Sequence, residues 1–414
     1  MDSNMSESSR TLRSSSASTT SALIPTPSTS DSGGGTELPS LSQPTPSLPT
    51  VPPGPLILTA LSTTSWRTAY PQIGQFAMTE GDEVIAAVPS GLLYFKRVND
   101  HVSKPWSEGR LLPDTTMLNN SNVSGLAAMP KGGSDPRLYV YCVSGGKLHG
   151  FYLSRKDGSS WVKDSSNPFS KYLISGTPAV AFSNESYNSE QWNMVVPCLS
   201  GGLLHAYTDG VLPSSSFSMN KTFWGPVNYV ATDLGLISSV SIAATRLRKG
   251  NRYDSPEQTN LVVVCIARGR LHTVEGEFLR RASVYSDSKE WKVQAPTRII
   301  HPGEVTGNPV LTKKRDGNQL DLLVPSAEGG VFHFVRTASN PDQWHIIARI
   351  AFPQGVPAAS CLGFYSGSSY NTQRHFRAVI QIGGRLYYVT TTESSIPWAG
   401  SYLRPIVSPG PFSG

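Results

Sequence analysis

One short phrase recurs six times along this chain and limits what the chain can fold into. The copies are SGLLYF at 90–95, SGGKLHGF at 144–151, SGGLLHAY at 200–207, ARGRLHTV at 267–274, EGGVFHFV at 328–335 and IGGRLYYV at 382–389. They bring one anchor residue into register, Tyr94, His149, His205, His272, His333 and Tyr387, at spacings of 55, 56, 67, 61 and 54 residues. A tryptophan follows each anchor, at Trp106, Trp161, Trp224, Trp291, Trp344 and Trp398, after 12, 12, 19, 19, 11 and 11 residues. Two landmarks that keep step six times mark a structural repeat.

Each unit has the same internal order. A run rich in Val, Leu, Ile and Tyr precedes the glycines, as in RLYVYCV, WNMVVPCL, NLVVVCIA, LDLLVPSA and FRAVIQI, and a second run follows them. Runs of this length joined by Gly-Gly predict β-hairpins, because glycine supplies the positive φ of a tight turn without steric cost. Another short strand is expected upstream, as in GTPAVAF at 176–182 and GNPVLT at 307–312, and the tryptophan opens a fourth, as in WHIIARIAF. Helical periodicity of useful length is absent. The expected fold is therefore all-β: a six-bladed β-propeller of four-stranded antiparallel blades. Trp66 is a stray landmark without its glycine pair. Residues 56–70 are expected to add a strand that closes the ring against the last blade, and a seventh, degenerate blade is the alternative count.

Composition changes near residue 55. Residues 1–55 are built from Ser, Thr, Pro and Gly, and they read as a disordered tail because they cannot bury enough apolar surface to offset ordering entropy. A transit peptide is the competing reading, with Arg10 and Arg13 among serines but Asp2 and Glu7 against it. The division is thus 1–55 tail and 56–414 propeller domain. The tail is net −2, so of the formal charge of +6 the remainder carries +8. No run of 18 apolar residues predicts a membrane span, and no apolar signal core follows the first charges. The expected location is cytoplasmic, or exported without a classical signal peptide.

The stretch RLYVYCVSGGKLHGFYLSRKDGSSWVKD at 137–164 resembles the repeat of the PLL-like and fungal fucose-specific β-propeller lectins. The resemblance spans roughly 56–414. It implies a propeller that binds glycans between neighbouring blades, each sugar stacked on Trp or Tyr and held by Arg and an acidic residue. Where that pattern places a glutamate after the third-strand apolar residue, this chain has His149, His205, His272 and His333.

Two roles suit those histidines: a polar group satisfied between blades, repeated because the blade repeats, or a polar donor at the edge of an inter-blade sugar pocket. A shared metal is not expected. On the third strand each would stand ~15 Å from the axis, at about 4.8 Å per strand, and in a sixfold ring neighbours would be equally far apart. The six tryptophans divide similarly between packing on the adjacent blade and offering stacking platforms. The candidate ligand residues are thus the six tryptophans and four histidines, with no metal and no cofactor expected.

The long insertions at 206–223, 246–260 and 273–290 fall on first-to-second or third-to-fourth connections, which share one rim. They bring Arg246, Arg248, Lys249, Arg252, Arg280 and Arg281, a patch that suits an acidic protein partner. No recognised motif accompanies the charge, so nucleic acid is not expected. Catalysis is not expected either. SRKDGSSW at 154–161 misplaces the aspartate of the sialidase Asp box, and no hydrolase, metalloprotease or nucleotide motif occurs. A glycosidase pair of carboxylates among Asp157, Glu185, Asp254 and Glu275 is the distant alternative. Cys142, Cys198 and Cys265 each precede a histidine by seven residues and are expected at equivalent second-strand positions as buried free thiols; Cys361 stands apart.

Overall fold

The structure, a computed structural model, describes residues 56–57, 72–79, 82–98, 106–107, 109–131, 137–154, 161–164, 167–186, 189–208, 224–247, 258–279, 291–299, 301, 303–314, 319–352, 354–368, 374–392, 398 and 403–406. The expected tail at 1–55, its boundary with the domain, and Trp66 lie outside these residues.

Six antiparallel sheets follow one another along the chain, each from consecutive strands. Blade one comprises Phe76–Met78, Glu83–Val88, Gly91–Lys96 and Arg110–Leu111. Blade two comprises Val123–Lys131, Arg137–Ser144, Lys147–Ser154 and Trp161–Asp164. Blade three comprises Ala179–Ser186, Ser189–Pro197, Leu203–Tyr207 and Asn228–Val230. Blade four comprises Ile237–Leu247, Gln258–Ala267 and Arg270–Leu279, with Trp291–Val293 and Thr297–Arg298 both pairing its third strand. Blade five comprises Val310–Lys313, Gln319–Pro325, Val331–Thr337 and Asn340–Ala351. Blade six comprises Cys361–Ser368, Arg374–Ile382, Arg385–Thr392 and Arg404–Pro405. The one helical element among the described residues is a 3-10 turn at Thr232–Leu234. No helix there is long and apolar enough to cross a membrane.

The second strands are buried on both faces, and the reason is the ring. Each blade is sandwiched between two others, and each cleft between neighbours holds its own apolar cluster. The sixth cluster joins Val379, Leu386 and Tyr388 of blade six to Val84, Leu93 and Phe95 of blade one, which closes the circle. Full burial of one such side chain stabilises by about 1.5–3 kcal/mol, so the clefts are the stabilising layer. The six first strands line a central channel of about 200 Å³.

Among the described residues, blades six and one exchange no strand at their seam. Ile73 N–H donates to the Gly384 carbonyl at 2.9 Å and Gln381 Nε2 to the Ile73 carbonyl at 2.6 Å. Of the segment at 56–70 expected to close the ring, only Leu56–Ile57 lies among the described residues, and it pairs in parallel with Ile350 and Ala351 on the outer edge of blade five; 58–70 lie outside them.

The hairpin turns are of two kinds, and this overturns the equivalence of the anchors. Blades two, four and six use two-residue turns, Gly145-Gly146, Arg268-Gly269 and Gly383-Gly384, all with positive φ. Blades three and five use wider ones, closed by Cys198 N–H to the Gly202 carbonyl and Ser326 N–H to the Gly330 carbonyl, both 3.1 Å. In blades one, three and five the anchor comes three residues after the residue that closes the turn (Gly91, Gly202, Gly330). In the others it comes two residues after (Lys147, Arg270, Arg385). A one-residue difference turns a strand residue to the opposite face.

Candidate functional site

Cross-strand partners share a face, so the anchors can be assigned to clefts. Tyr94 lies opposite Ile85 and His149 opposite Cys142, and Ile85 and Cys142 belong to the cluster between blades one and two. His205 opposite Val195 and His272 opposite Cys265 face the cleft between blades three and four. His333 opposite Leu323 and Tyr387 opposite Ile380 face the cleft between five and six. The expectation of one anchor per cleft is therefore corrected: anchors occur in pairs in three alternate clefts, and the other three clefts have none. Among the described residues no group of three His, Cys, Asp or Glu side chains is arranged to hold a metal.

Within the anchored clefts each odd blade adds a polar residue that its neighbours' sequences lack. Tyr94 Oη donates to Glu83 Oε1 at 2.8 Å. His205 Nε2 lies 3.1 Å from Asn193 Oδ1, and His333 Nε2 lies 3.1 Å from Asp321 Oδ1. His205 and His333 are fully buried. Burial holds the His205 ring neutral, its pKa pushed down to about 3. His149 and His272 are half-buried; burial comes first in lowering both, aided at His272 by Arg298 and Arg270 and at His149 by Lys163 and Lys147.

The tryptophans follow a simpler rule: each faces the preceding blade, one to a cleft. Trp106, Trp291 and Trp398 are buried, whereas Trp161, Trp224 and Trp344 are half-buried. Only Trp161, Trp291 and Trp344 lie in strands. Trp106 and Trp224 form isolated bridges, to Arg97 and Thr208. Trp398 has left the strand for a turn conformation, φ 71°.

The three clefts without anchors carry a different chemistry. Between blades four and five, Arg336 Nη1 is paired with Glu275 Oε1. The Arg336 guanidinium lies over the Trp344 ring, 5.2 Å from its centroid. The indole Nε1 donates to Thr273 Oγ1 at 3.2 Å. Strand alternation puts Thr273 and Glu275 on one face of blade four, and Phe334 and Arg336 on the facing side of blade five. Glu275 keeps 24% of its side chain exposed, so the group opens to solvent. Between blades six and one, Asp82 Oδ2 accepts from Arg97 Nη1 at 3.4 Å and is paired with Arg377, which lies 5.6 Å from the Tyr365 centroid. Burial, then Arg377, lowers the Arg97 pKa, and Asp82 opposes this. Between blades two and three, Arg137 sits over the Tyr152 ring at 4.6 Å, and Tyr139 meets Trp192 edge-on at 4.5 Å.

Of the predicted rim residues, Arg248, Lys249, Arg252, Arg280 and Arg281 lie outside the described residues, as does the side chain of Arg246, a residue of blade four's first strand. Of the four acids weighed for a glycosidase, only Glu275 has a described side chain. The cysteines require a further correction. Cys142 and Cys265 do occupy matching second-strand positions, but Cys198 lies at the wider turn of blade three, bridges Ile174 and faces blade two. All four are free and buried.

Neither a protein-family model nor a curated relative matches the sequence. Solved structures share the fold. AofleA from Arthrobotrys oligospora superimposes with a TM-score of 0.51 at 10% identity, over 83% of this chain and 89% of that one. The Aleuria aurantia lectin, solved with Fucα1-6GlcNAc, gives 0.49 at 11% identity over 83% and 99%. The NanB sialidase of Streptococcus pneumoniae gives 0.38 at 14% over 64% and 34%. What AofleA shares with this chain is the β-propeller that its blade motifs imply.

Proposed function

We propose that this protein is a non-catalytic, carbohydrate-binding propeller and that the cleft between blades four and five is its principal sugar site. The observation that carries this reading is the Arg336–Glu275–Trp344 group, assembled from two blades and partly open to solvent. A pyranose presents hydroxyls that both donate and accept, together with a C–H face. A guanidinium donates to two oxygens in a fixed fork, a carboxylate accepts from hydroxyls, and an indole offers apolar area with its edge polar. One guanidinium matched by one carboxylate has no formal charge surplus, which favours a neutral saccharide over a phosphate. The resemblance of 137–164 to lectin repeats points to the same ligand class. Trp161 and Trp224, also half-buried, are the remaining stacking candidates; the buried Trp398, His205 and His333 have no face to offer.

A glycosidase needs a second carboxylate about 5–9.5 Å from the first. Glu275 is instead paired with the Arg336 guanidinium, a partner for a hydroxyl-binding site rather than a second acid.

The reading is tested on an array of neutral glycans with the full chain and with Arg336→Gln and Trp344→Ala. Saturable binding that both variants lose at unchanged melting temperature supports it. An array without binding, or binding that both variants keep, would overturn it.

A further inference from the structure

The cleft between blades three and four carries a basic cluster at its mouth on the hairpin rim. Arg270 lies opposite Ala267 and His272 opposite Cys265, two members of that cleft's apolar cluster, so both side chains stand on the face turned towards blade three. Arg298 lies directly opposite His272, on the fourth-strand side of the same face. Opposite residues stand about 5 Å apart and diagonal ones about 7–8 Å, which long side chains span, so both guanidiniums can reach one point beside the imidazole. Arg270 and Arg298 are exposed and His272 is half-buried. Burial, then Arg298 and Arg270, lower the His272 pKa, and Asp233 opposes them.

A third arginine is held at this mouth against a steric preference. The two-residue turns of blades two and six begin with Gly145 and Gly383; blade four has Arg268 in that place, with φ 52°. The left-handed region crowds any side chain that has a Cβ, and such strain collects where a site needs the residue. The Arg268 guanidinium reaches back over the connection from blade three: its Nη2 lies 3.2 Å from the point a Cβ on Gly235 would occupy. Asp233 sits two residues before that glycine, in the 3-10 turn.

Three guanidiniums therefore meet one carboxylate, and none of the three forms an ion pair among the described residues. The connection entering blade three adds exposed Lys171 further along the rim. The acids on the other side, Glu304 and Glu328, belong to blade five: Ala327 N–H donates to the Glu304 carbonyl, and Glu328 pairs with Arg349 at 3.9 Å. A surplus of positive charge separates this mouth from the balanced cleft between blades four and five. A phosphate monoester carries about two negative charges at neutral pH and offers three acceptor oxygens. Guanidinium forks donate to such oxygens in pairs, and a neutral imidazole adds one N–H. We propose that this mouth is a phosphate-binding site, taking the group as a monoester or as the free ion. The site lies one cleft away from the sugar site and does not depend on that reading.

The test is calorimetric titration of the full chain at low salt with inorganic phosphate and with glucose 6-phosphate, for the parent and for Arg270→Gln, Arg298→Gln and Arg268→Gly. Saturable binding is expected. Each glutamine variant should weaken it roughly tenfold or more, since it removes a charge-assisted pair of hydrogen bonds. Arg268→Gly should weaken it while the melting temperature holds or rises, because glycine accepts that turn without strain. Tighter binding of the ester assigns the site to phosphorylated sugars, and tighter binding of the ion assigns it to free phosphate. No saturation with either probe up to about 10 mM, or binding that any of the three variants keeps unchanged, would overturn the proposal.

Discussion

Trp398 Nε1 donates to Nδ1 of His333 at 3.1 Å, deep in the cleft between blades five and six. An indole N–H can only donate, so Nδ1 is an acceptor and the ring's proton sits on Nε2, facing Asp321 Oδ1. Asp321 and His333 of one hairpin and Trp398, 65 residues beyond His333, thus form one chain of hydrogen bonds across two blades. Trp398→Phe removes the donor together with part of the ring's volume. We expect a loss of about 1–3 kcal/mol in chemical denaturation, because an imidazole acceptor stays buried without that partner. His333→Phe in the same background should cost much less than the two changes summed.

Stability should depend on pH through His205. Its pKa is near 3 folded and about 6.5 unfolded, so between those values the unfolded chain binds the extra proton. Stability therefore falls as pH drops from 6.5 towards 3, by up to on the order of 4–5 kcal/mol. His149 and His272 act in the same direction. Melting curves from pH 7 to 4 should show a shallower decline for His205→Gln than for the parent; equal slopes would contradict the assignment.

The inner ring is intolerant of a single methyl group. A Cβ on Gly176 would collide with the carbonyl of Ser238 in the next blade, where Thr177 N–H bonds that same carbonyl at 3.3 Å. Gly176→Ala should lose about 3 kcal/mol by overpacking, measured as a lowered melting temperature. Ser90→Ala, on an exposed turn, should change it little.

The thiols should be silent in the folded protein. Burial pushes Cys142 and Cys265 up to about 12 and raises Cys361. A thiol-specific colorimetric reagent at pH 8 should therefore label none of these three until denaturant is added; fast labelling of the native protein would show a cleft open to solvent.

The sixfold repeat was legible because hairpins and their tryptophans are local features. The alternation of clefts was also written in the sequence but in a weaker mark. Val88-Pro89, Val196-Pro197 and Val324-Pro325 occur at the turns of blades one, three and five, and no even blade has the pair. Proline cannot donate to the ladder, and in blades three and five it precedes the wider turn. The nearly identical phrases SGGKLH and SGGLLH hid this, since the same spacing is folded into turns of different width. Glu83, Asn193 and Asp321, polar residues in the second strands of blades one, three and five, were a second sign of the same alternation. Arg336 and Glu275 were not legible as a pair. They are 61 residues apart in different blades, at positions that the repeat does not align.

The most direct measurement is a crystal structure of the protein soaked with its best array glycan. The account predicts sugar density at the mouth of the cleft between blades four and five, with hydroxyls on Arg336 and Glu275 and a C–H face near Trp344. Density confined to the clefts that hold the paired anchors, or to the central channel, would contradict it.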